Sequence, residues 1–237
     1  MFDWPVVLAA LPDFFRGLRV TLILLAIALA TGFVLSIPLA MARVSQNKWL
    51  STPIFLFTYV IRGTPLLVQM FMVYHGLAQF EWMRQSPVWF LFKDAWFCAW
   101  LVFSISTTAY TTEIFAGALR QTPSGELEAA QSLGLTRFQT YARILWPGAL
   151  RRALPQYSNE VVGLMHATAV ASTVTLVEIT RVARDVYYNH LSVTDSFGVA
   201  AIFYFVLTFT VVGIFKLLEK RYLKHLNRKV SGPVPAR

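Results

Sequence analysis

Charged residues are scarce in this chain of 237 residues, where Asp, Glu, Lys and Arg together make up 14%. Soluble domains carry about 25% of such residues. Hydrophobic residues make up 56% of the chain, and the mean hydropathy is +0.54. Because the hydrophobic residues fall in long runs, the sequence predicts an integral membrane protein and excludes an ordinary soluble domain.

Motifs for covalent, metal or nucleotide chemistry are also missing. Cys98 is the only cysteine and lies in an apolar run, so neither a disulfide nor a metal site is predicted. No glycine is followed by Lys-Ser or Lys-Thr, which excludes a phosphate-binding P-loop. We therefore expect no catalytic residue, metal or cofactor in this chain, and a partner would hydrolyse any ATP that drives it.

Five apolar runs are long enough to cross a bilayer, which needs about 20 residues. They cover residues 18–42, 53–77, 95–119, 157–179 and 197–218. The first run is too long for the apolar core of a signal peptide, about 7–15 residues, so we expect it to be retained. The sequence thus predicts an all-α membrane domain over residues 1–226 and a disordered cytosolic tail at 227–237.

The charges between the runs predict the orientation of the chain. Basic residues predominate after the first, third and fifth runs, whereas the alternate segments are neutral or slightly acidic. Cytoplasmic loops carry the excess of Lys and Arg, so the N-terminus is expected outside and the C-terminus in the cytosol. This pattern also explains the net charge of +9 without a nucleic-acid partner.

Residues 122–147 form the one long polar interruption, which reads as two short helices. Thr122 and Ser124 are suitable N-cap residues, and Pro123 suits a first helical position. Three apolar residues recur at a spacing of three and predict a single stripe. They are Leu127, Ala130 and Leu133.

The second half of this interruption contains residues that are typical of the end of one helix and the start of another. Gly134 is placed to end the first helix in a left-handed turn. Thr136 and Gln139 match a capping box, which begins a second helix expected to end before Pro147. Taken alone, this pattern is also compatible with a polar loop that only joins two spans.

Of the ionisable residues inside the predicted spans, where charge is costly and therefore often functional, three matter most here. Arg62 and Glu113 lie at similar depths, so they either form an ion pair or contact a substrate. Glu160 either contacts a substrate or bonds Arg151 or Arg152 at the start of the fourth span.

The fourth span is rich in small residues, which let membrane helices approach closely. This favours either an interface around a transport path or packing within one subunit. His166 lies among these residues, either as a hydrogen-bonded core histidine or as part of the path.

The polar interruption resembles the "EAA" loop of ATP-binding-cassette (ABC) importer permeases, with Trp146 where that family usually has Leu. The resemblance implies a cytosolic loop that docks on an ATPase subunit. The residues that match the loop are Glu128, Ala129, Ala130, Gly134, Ile144 and Pro147.

Three further stretches resemble the polar amino-acid branch of these permeases: IRGTPLLVQ at 61–69, AYTTEIFAGALR at 109–120 and RRALPQYSNEVV at 151–162. The resemblance is nearest to the histidine and lysine–arginine–ornithine type, with its arginine/ornithine and octopine/nopaline relatives. One departure is His166-Ala167, where many relatives outside this branch have Lys-Asp. The resemblance and the spans together define a candidate substrate path. Its residues are Arg62, Thr64, Glu113, Asn159, Glu160, His166 and Thr168.

The resemblance implies an importer of basic amino acids in the bacterial inner membrane. Its implied partners are a second homologous permease subunit, two ABC ATPase subunits that bind ATP and Mg, a periplasmic binding protein and the surrounding lipid. Three alternatives remain open: an importer of another polar amino acid such as glutamine, a proton-coupled secondary transporter, and a membrane scaffold that transports nothing. The absence of an internal inverted repeat argues against the secondary transporter.

Overall fold

The computed structural model of this protein describes residues 3–222, and all the regular structure in that range is helical. The predicted all-α class is therefore confirmed. The tail predicted at 227–237 lies outside the described residues.

Helix α1, Trp4–Arg43, begins well before the predicted span at residue 18. Its first part is helical because an apolar stripe, with Val7, Ala10 and Phe14, packs against a later amphipathic helix. The helix has 40 residues and is about 60 Å long, twice the roughly 30 Å of a bilayer core. Helix α1 is therefore longer than one crossing of a bilayer core requires.

The predicted span 53–77 is broken in two, which corrects the expectation of one continuous helix. Helix α2, Lys48–Gly63, meets the helical stretch Leu66–Gln79 at an angle of 98°, and this stretch begins with helix α3, Leu66–Phe71. Thr64 is extended because it precedes Pro65, and Pro disfavours the α conformation in the residue before it. The chain continues through short helical turns: Met72–Gly76, Leu77–Gln79, α4 (Glu81–Arg84) and α5 (Trp89–Phe92).

Helix α6, Ala95–Arg120, agrees with the predicted third span and is the central helix of the fold. It packs against α1 and α2 and is largely buried. Six Ser and Thr residues lie on it, and all six are buried. They are Ser104, Ser106, Thr107, Thr108, Thr111 and Thr112.

The helices of the polar interruption are α7, Ser124–Ser132, and α8, Arg137–Thr140. A π-helical turn, Tyr141–Leu145, then leads directly into α9, Trp146–Ala167, so the predicted end before Pro147 is wrong. Pro lacks an N–H and clashes with the carbonyl four residues earlier, and the wider π turn accommodates both defects.

The fourth span therefore begins before residue 157 and ends before residue 179. Helix α9 continues as a 3-10 helix, Thr168–Val174, which stops at Thr175 in a left-handed conformation. Helix α10, Ile179–His190, follows at an angle of 51°, and α11, Val199–Tyr222, contains most of the predicted fifth span.

By length and composition, two helical stretches could cross a membrane, Trp4–Arg43 and Thr194–Tyr222. The number rises to four if each of the two bent pairs is one span. Helix α6 is not among them because its hydroxyl residues lower its hydropathy. The structure thus gives two to four candidate spans.

Three hydrophobic clusters follow one another along α1. The first joins Phe14 to α10, and the second joins Leu24 and Leu25 to α6 and α9. The third surrounds Ala40 and Phe115 near the start of α9. Helix α1 is thus the common wall against which the other long helices pack.

Candidate functional site

The loop between α6 and α9 is tied to the helix bundle by one arginine. The Arg152 Nε atom donates to the carbonyl oxygen of Ala118 at 3.1 Å, and its Nη2 atom donates to the Thr122 hydroxyl at 2.7 Å. Thr122 is thus not an N-cap, and Pro123 rather than Ser124 occupies the cap position, without a side-chain hydrogen bond. Arg152 couples the start of the loop to α9.

Gly134 ends α7 as predicted, with φ at +67°. The Gly134 N–H donates to the Gln131 carbonyl at 2.9 Å, and the Leu135 N–H donates to the Ala130 carbonyl at 3.1 Å. These two bonds form a Schellman motif. The capping box of Thr136 and Gln139 is also present, so this tight reversal is fixed by local sequence.

The predicted stripe of α7 divides between the bundle and the surface. Ala130 is buried and Leu127 packs against the cluster around Ala40 and Phe115, but Leu133 is 77% exposed. Phe138 on α8 is 80% exposed. We call the exposed residues Glu128, Ala129, Leu133 and Phe138 the coupling surface. Large apolar side chains presented on a polar helix pair are typical of a protein-binding surface.

Glu113 forms its ion pair with Arg43, not with Arg62 as one prediction had it. The Glu113 Oε1 atom accepts from Arg43 Nε at 2.7 Å and from the Thr58 hydroxyl at 2.8 Å. The Arg62 guanidinium instead lies over the ring of Tyr110, 5.1 Å from its centroid. The Arg43 pair thus joins α1, α2 and α6 and leaves Arg62 free of an ion pair within the described residues.

A polar cavity of ≈ 330 Å³ lies beside this cluster, between α2, α6 and α9. It brings together three of the predicted path residues, Arg62, Glu113 and Glu160. Other polar residues that line it are Tyr110, Gln121, Arg152 and Gln156. Charges of both signs therefore face one small volume.

Glu160 is half-buried on α9, beside Thr107 and within electrostatic reach of Arg62. The alternative in which Arg151 or Arg152 binds Glu160 is wrong. Arg152 is engaged by α6 and the loop, and Arg151 lines a different, apolar groove. Glu160 therefore has no direct ion-pair partner within the described residues.

The other predicted path residues do not line this cavity. Thr64 and Asn159 are exposed, and Thr64 bonds the carbonyl of Val60 in the preceding turn. His166 is exposed, and its Nε2 atom is 2.9 Å from the Thr208 hydroxyl on α11. Thr168 is fully buried and donates to the Met165 carbonyl one turn earlier, so its role is structural.

Sequence reasoning missed the polar lining of the cavity, although a signal was available. Arg152, Gln156 and Glu160 follow one another at a spacing of four, which places them on one helical face. Tyr110 lies one turn before Glu113 in the same way. Within residues 3–222, no group of three His, Cys, Asp or Glu side chains could hold a metal ion.

Residues 32–224 match the family model described as the binding-protein-dependent transport system inner membrane component. The chain belongs to this family. Members of the family are the permease subunits of ABC transporters, in which the ATPase is a separate chain.

Curated relatives cover nearly the whole permease. It is 42% identical over 217 residues to the histidine/lysine/arginine/ornithine transport system permease protein HisM of Escherichia coli, with 90% of each chain covered. It is 38% identical to the nopaline transport system permease protein NocM of Agrobacterium fabrum, with 98% and 97% covered. It is also 38% identical to the arginine ABC transporter permease protein ArtM of Haemophilus influenzae, with 91% and 95% covered.

Solved structures agree with the fold. A crystal structure of an amino acid ABC transporter with histidines matches the permease at a TM-score of 0.82 and 28% identity. That match covers 93% of this permease and 99% of the other chain. An inward-facing MetNI methionine ABC transporter matches at a TM-score of 0.76 and 16% identity, which supports the fold alone.

Proposed function

We propose that this permease moves basic amino acids across the bacterial inner membrane as a subunit of an ATP-driven importer. The observation that carries the proposal is the polar cavity, in which Glu160 and Arg62 face one volume. The named specificities of the relatives, which include histidine, lysine, arginine and ornithine, support the same substrate class.

Five spans, with the N-terminus outside and the C-terminus cytosolic, fit the helices best. They are α1, the bent α2–α3 pair, α6, α9 with its 3-10 extension, and α11. Helix α6 has 26 residues and is about 39 Å long, enough to cross the roughly 30 Å core. Its hydroxyl residues are buried against protein, so lipid does not contact them. The excess of basic residues after α1, after α6 and at the end of α11 supports the orientation.

The coupling surface is the proposed contact with the ATPase subunit. Its exposed Leu133 and Phe138 would be covered in a complex, and Glu128 and Ala129 lie beside them. Two ATPase subunits would bind ATP and Mg, and a second homologous permease subunit would complete the path. A periplasmic binding protein would deliver the amino acid from the other side.

Each charge of the cavity suits one part of a basic amino acid. Arg62 has no ion-pair partner within the described residues and can bind the substrate carboxylate. Glu113 is already neutralised by Arg43, so Glu160 is the carboxylate available to a cationic side chain. The volume of ≈ 330 Å³ lies at the lower end of small-molecule sites, about 300–1,000 Å³.

The variant Glu160→Gln tests this role because it keeps the size of the side chain and removes its charge. A charge-assisted hydrogen bond contributes about 1.5–3 kcal/mol, or roughly 10- to 150-fold in affinity. We expect the initial rate of arginine or lysine uptake, per mole of assembled complex, to fall at least about tenfold. Glu81→Gln, a change at an exposed carboxylate outside the cavity, is the control and should leave uptake normal.

An unchanged rate for Glu160→Gln would refute the substrate role of Glu160. Competition of arginine, lysine, histidine, ornithine and glutamine in the same uptake assay separates a basic from a neutral substrate. Copurification of an ATPase subunit separates the importer from a secondary transporter and from a scaffold, because only the importer retains one.

A further inference from the structure

An apolar groove of ≈ 460 Å³ lies between α1, α6, α9 and α11, next to the polar cavity. Nearly all of its lining is apolar. The residues that form its walls include Phe33, Phe115, Leu150, Leu154, Tyr157 and Leu218. A groove of this kind, on a protein surrounded by lipid, fits a hydrocarbon chain.

The groove and the polar cavity contact α9 on two adjoining faces, and Ala153 lines both of them. Arg152, Gln156 and Glu160 line the cavity and lie within about 80° of one another around the helix. Leu154 lines the groove and is turned away from these three residues by about 120–160°, whereas Tyr157, which also lines the groove, is about 60° from Glu160. The two sites differ in their linings, because the groove is almost wholly apolar and the cavity contains charged residues of both signs.

Two arginines mark one end of the groove. Arg151 lines it directly, and the Arg221 guanidinium lies 5.8 Å from the centroid of the Tyr222 ring, which also lines it. Within residues 3–222, neither arginine forms an ion pair with an acidic residue. Arg221 is in the last turn of α11, where basic residues predominate, so this end lies at the proposed cytosolic surface.

We propose that the groove binds one anionic phospholipid of the cytosolic leaflet. An acyl chain would lie along Leu154 and Tyr157, and the phosphate would contact Arg151 and Arg221. Basic pockets between transmembrane helices on the cytoplasmic side suit anionic head groups. The side assigned to the groove rests on the proposed orientation, whereas the binding itself does not.

Charge complementarity favours a lipid over the C-terminal segment of the same chain. Residues 223–237 contain four Lys or Arg and no Asp or Glu. This segment would bring positive charge to a site that already has Arg151 and Arg221. An anionic head group is attracted by all of these charges.

Native mass spectrometry of the purified complex tests the proposal, with phosphatidylglycerol as the probe and phosphatidylcholine as the neutral comparison. The wild-type complex should retain one phosphatidylglycerol for each copy of this chain and should not retain phosphatidylcholine. Each arginine near a membrane surface strengthens binding roughly fivefold, so Arg151→Gln should weaken phosphatidylglycerol retention by about that factor. Lys48→Gln removes an exposed cation outside the groove and should have no effect.

A second variant tests the groove without changing its charge. Leu154→Trp should fill the groove and abolish retention, whereas Val206→Trp, at an exposed apolar position of α11 outside the groove, should not. Equal retention in wild type, Arg151→Gln and Leu154→Trp would overturn the proposal. Retention that appears only after truncation at Tyr222 would also overturn it, because the chain's own C-terminal segment would then be the occupant.

Discussion

Arg43 and Glu113 show how a charge inside a membrane protein is made tolerable. Their side chains are only 16% and 17% exposed, and their atoms approach to 2.7 Å. An ion pair between Glu113 and Arg62 was one of two alternatives from the sequence, because both residues lie at a similar depth. The actual partner, Arg43, lies in the last turn of α1.

A double-mutant cycle on Arg43 and Glu113 should therefore show strong coupling. Arg43→Ala leaves Glu113 without its counter-charge, a defect that costs up to about 3–5 kcal/mol in a buried pair. The double variant Arg43→Ala with Glu113→Ala should be less harmful to thermal stability than the sum of the two single changes. The same cycle on Arg62 and Glu113 is the comparison and should show weaker coupling, since those residues form no ion pair. Equal coupling in the two cycles would reject the assignment.

Among the elements, the chain reversal from α7 through Gly134 to α8 is the one most fully determined by its own local sequence. Gly134 has φ at +67°, and a Cβ atom added there would meet nothing within 4 Å. Gly134→Val is therefore unfavourable for backbone reasons alone, by about 1–3 kcal/mol. We expect the permease to insert but to retain less ATPase on purification and to lose transport.

Gly125→Val is a matched control for this change. Gly125 lies in α7 with equally open surroundings and without a positive φ, so the same side chain causes no comparable strain there. Full ATPase retention by Gly134→Val, or equal loss in both variants, would contradict the proposed role of the reversal.

These elements also show where prediction from sequence succeeds. The Schellman turn at Gly134 and the capping box at Thr136 depend on residues a few positions apart, so both were predicted correctly. Pro65 was a local signal for the break at Thr64–Pro65. The prediction of one span over 53–77 missed it because that prediction used hydropathy alone. The early start of α1 and the polar lining of the cavity depend on packing between distant helices, which no local pattern specifies.

At the scale of the whole molecule, the coupling surface and α10 lie at opposite ends of α9. The helix from Trp146 to Ala167 and its extension to Val174 span about 47 Å together. Helix α10 is fixed at the far end by Glu178, which caps its N-terminus and accepts a hydrogen bond from the Tyr204 hydroxyl at 2.9 Å. In the proposed orientation, this end faces the protein that delivers the substrate.

Helices α1 and α10 are in close contact at Gly17, which allows this arrangement to be tested. A Cβ atom at Gly17 would lie 3.0 Å from the backbone of Glu178 and Ile179 and from the Val182 side chain. Gly17→Leu should therefore push α10 away from α1. We expect the stimulation of ATP hydrolysis by the delivery protein to fall at least about threefold. A threefold fall corresponds to a loss of about 0.7 kcal/mol in the coupling free energy.

The ATPase should still copurify with Gly17→Leu, because the coupling surface is at the other end of α9. Gly213→Leu on α11 is the control, since a Cβ atom there meets nothing within 4 Å. Normal stimulation of ATP hydrolysis in Gly17→Leu would show that the α1–α10 contact is not needed for signalling from outside. Loss of the ATPase on purification would contradict the separation of the two ends, because a local change at Gly17 would then have disturbed the coupling surface as well.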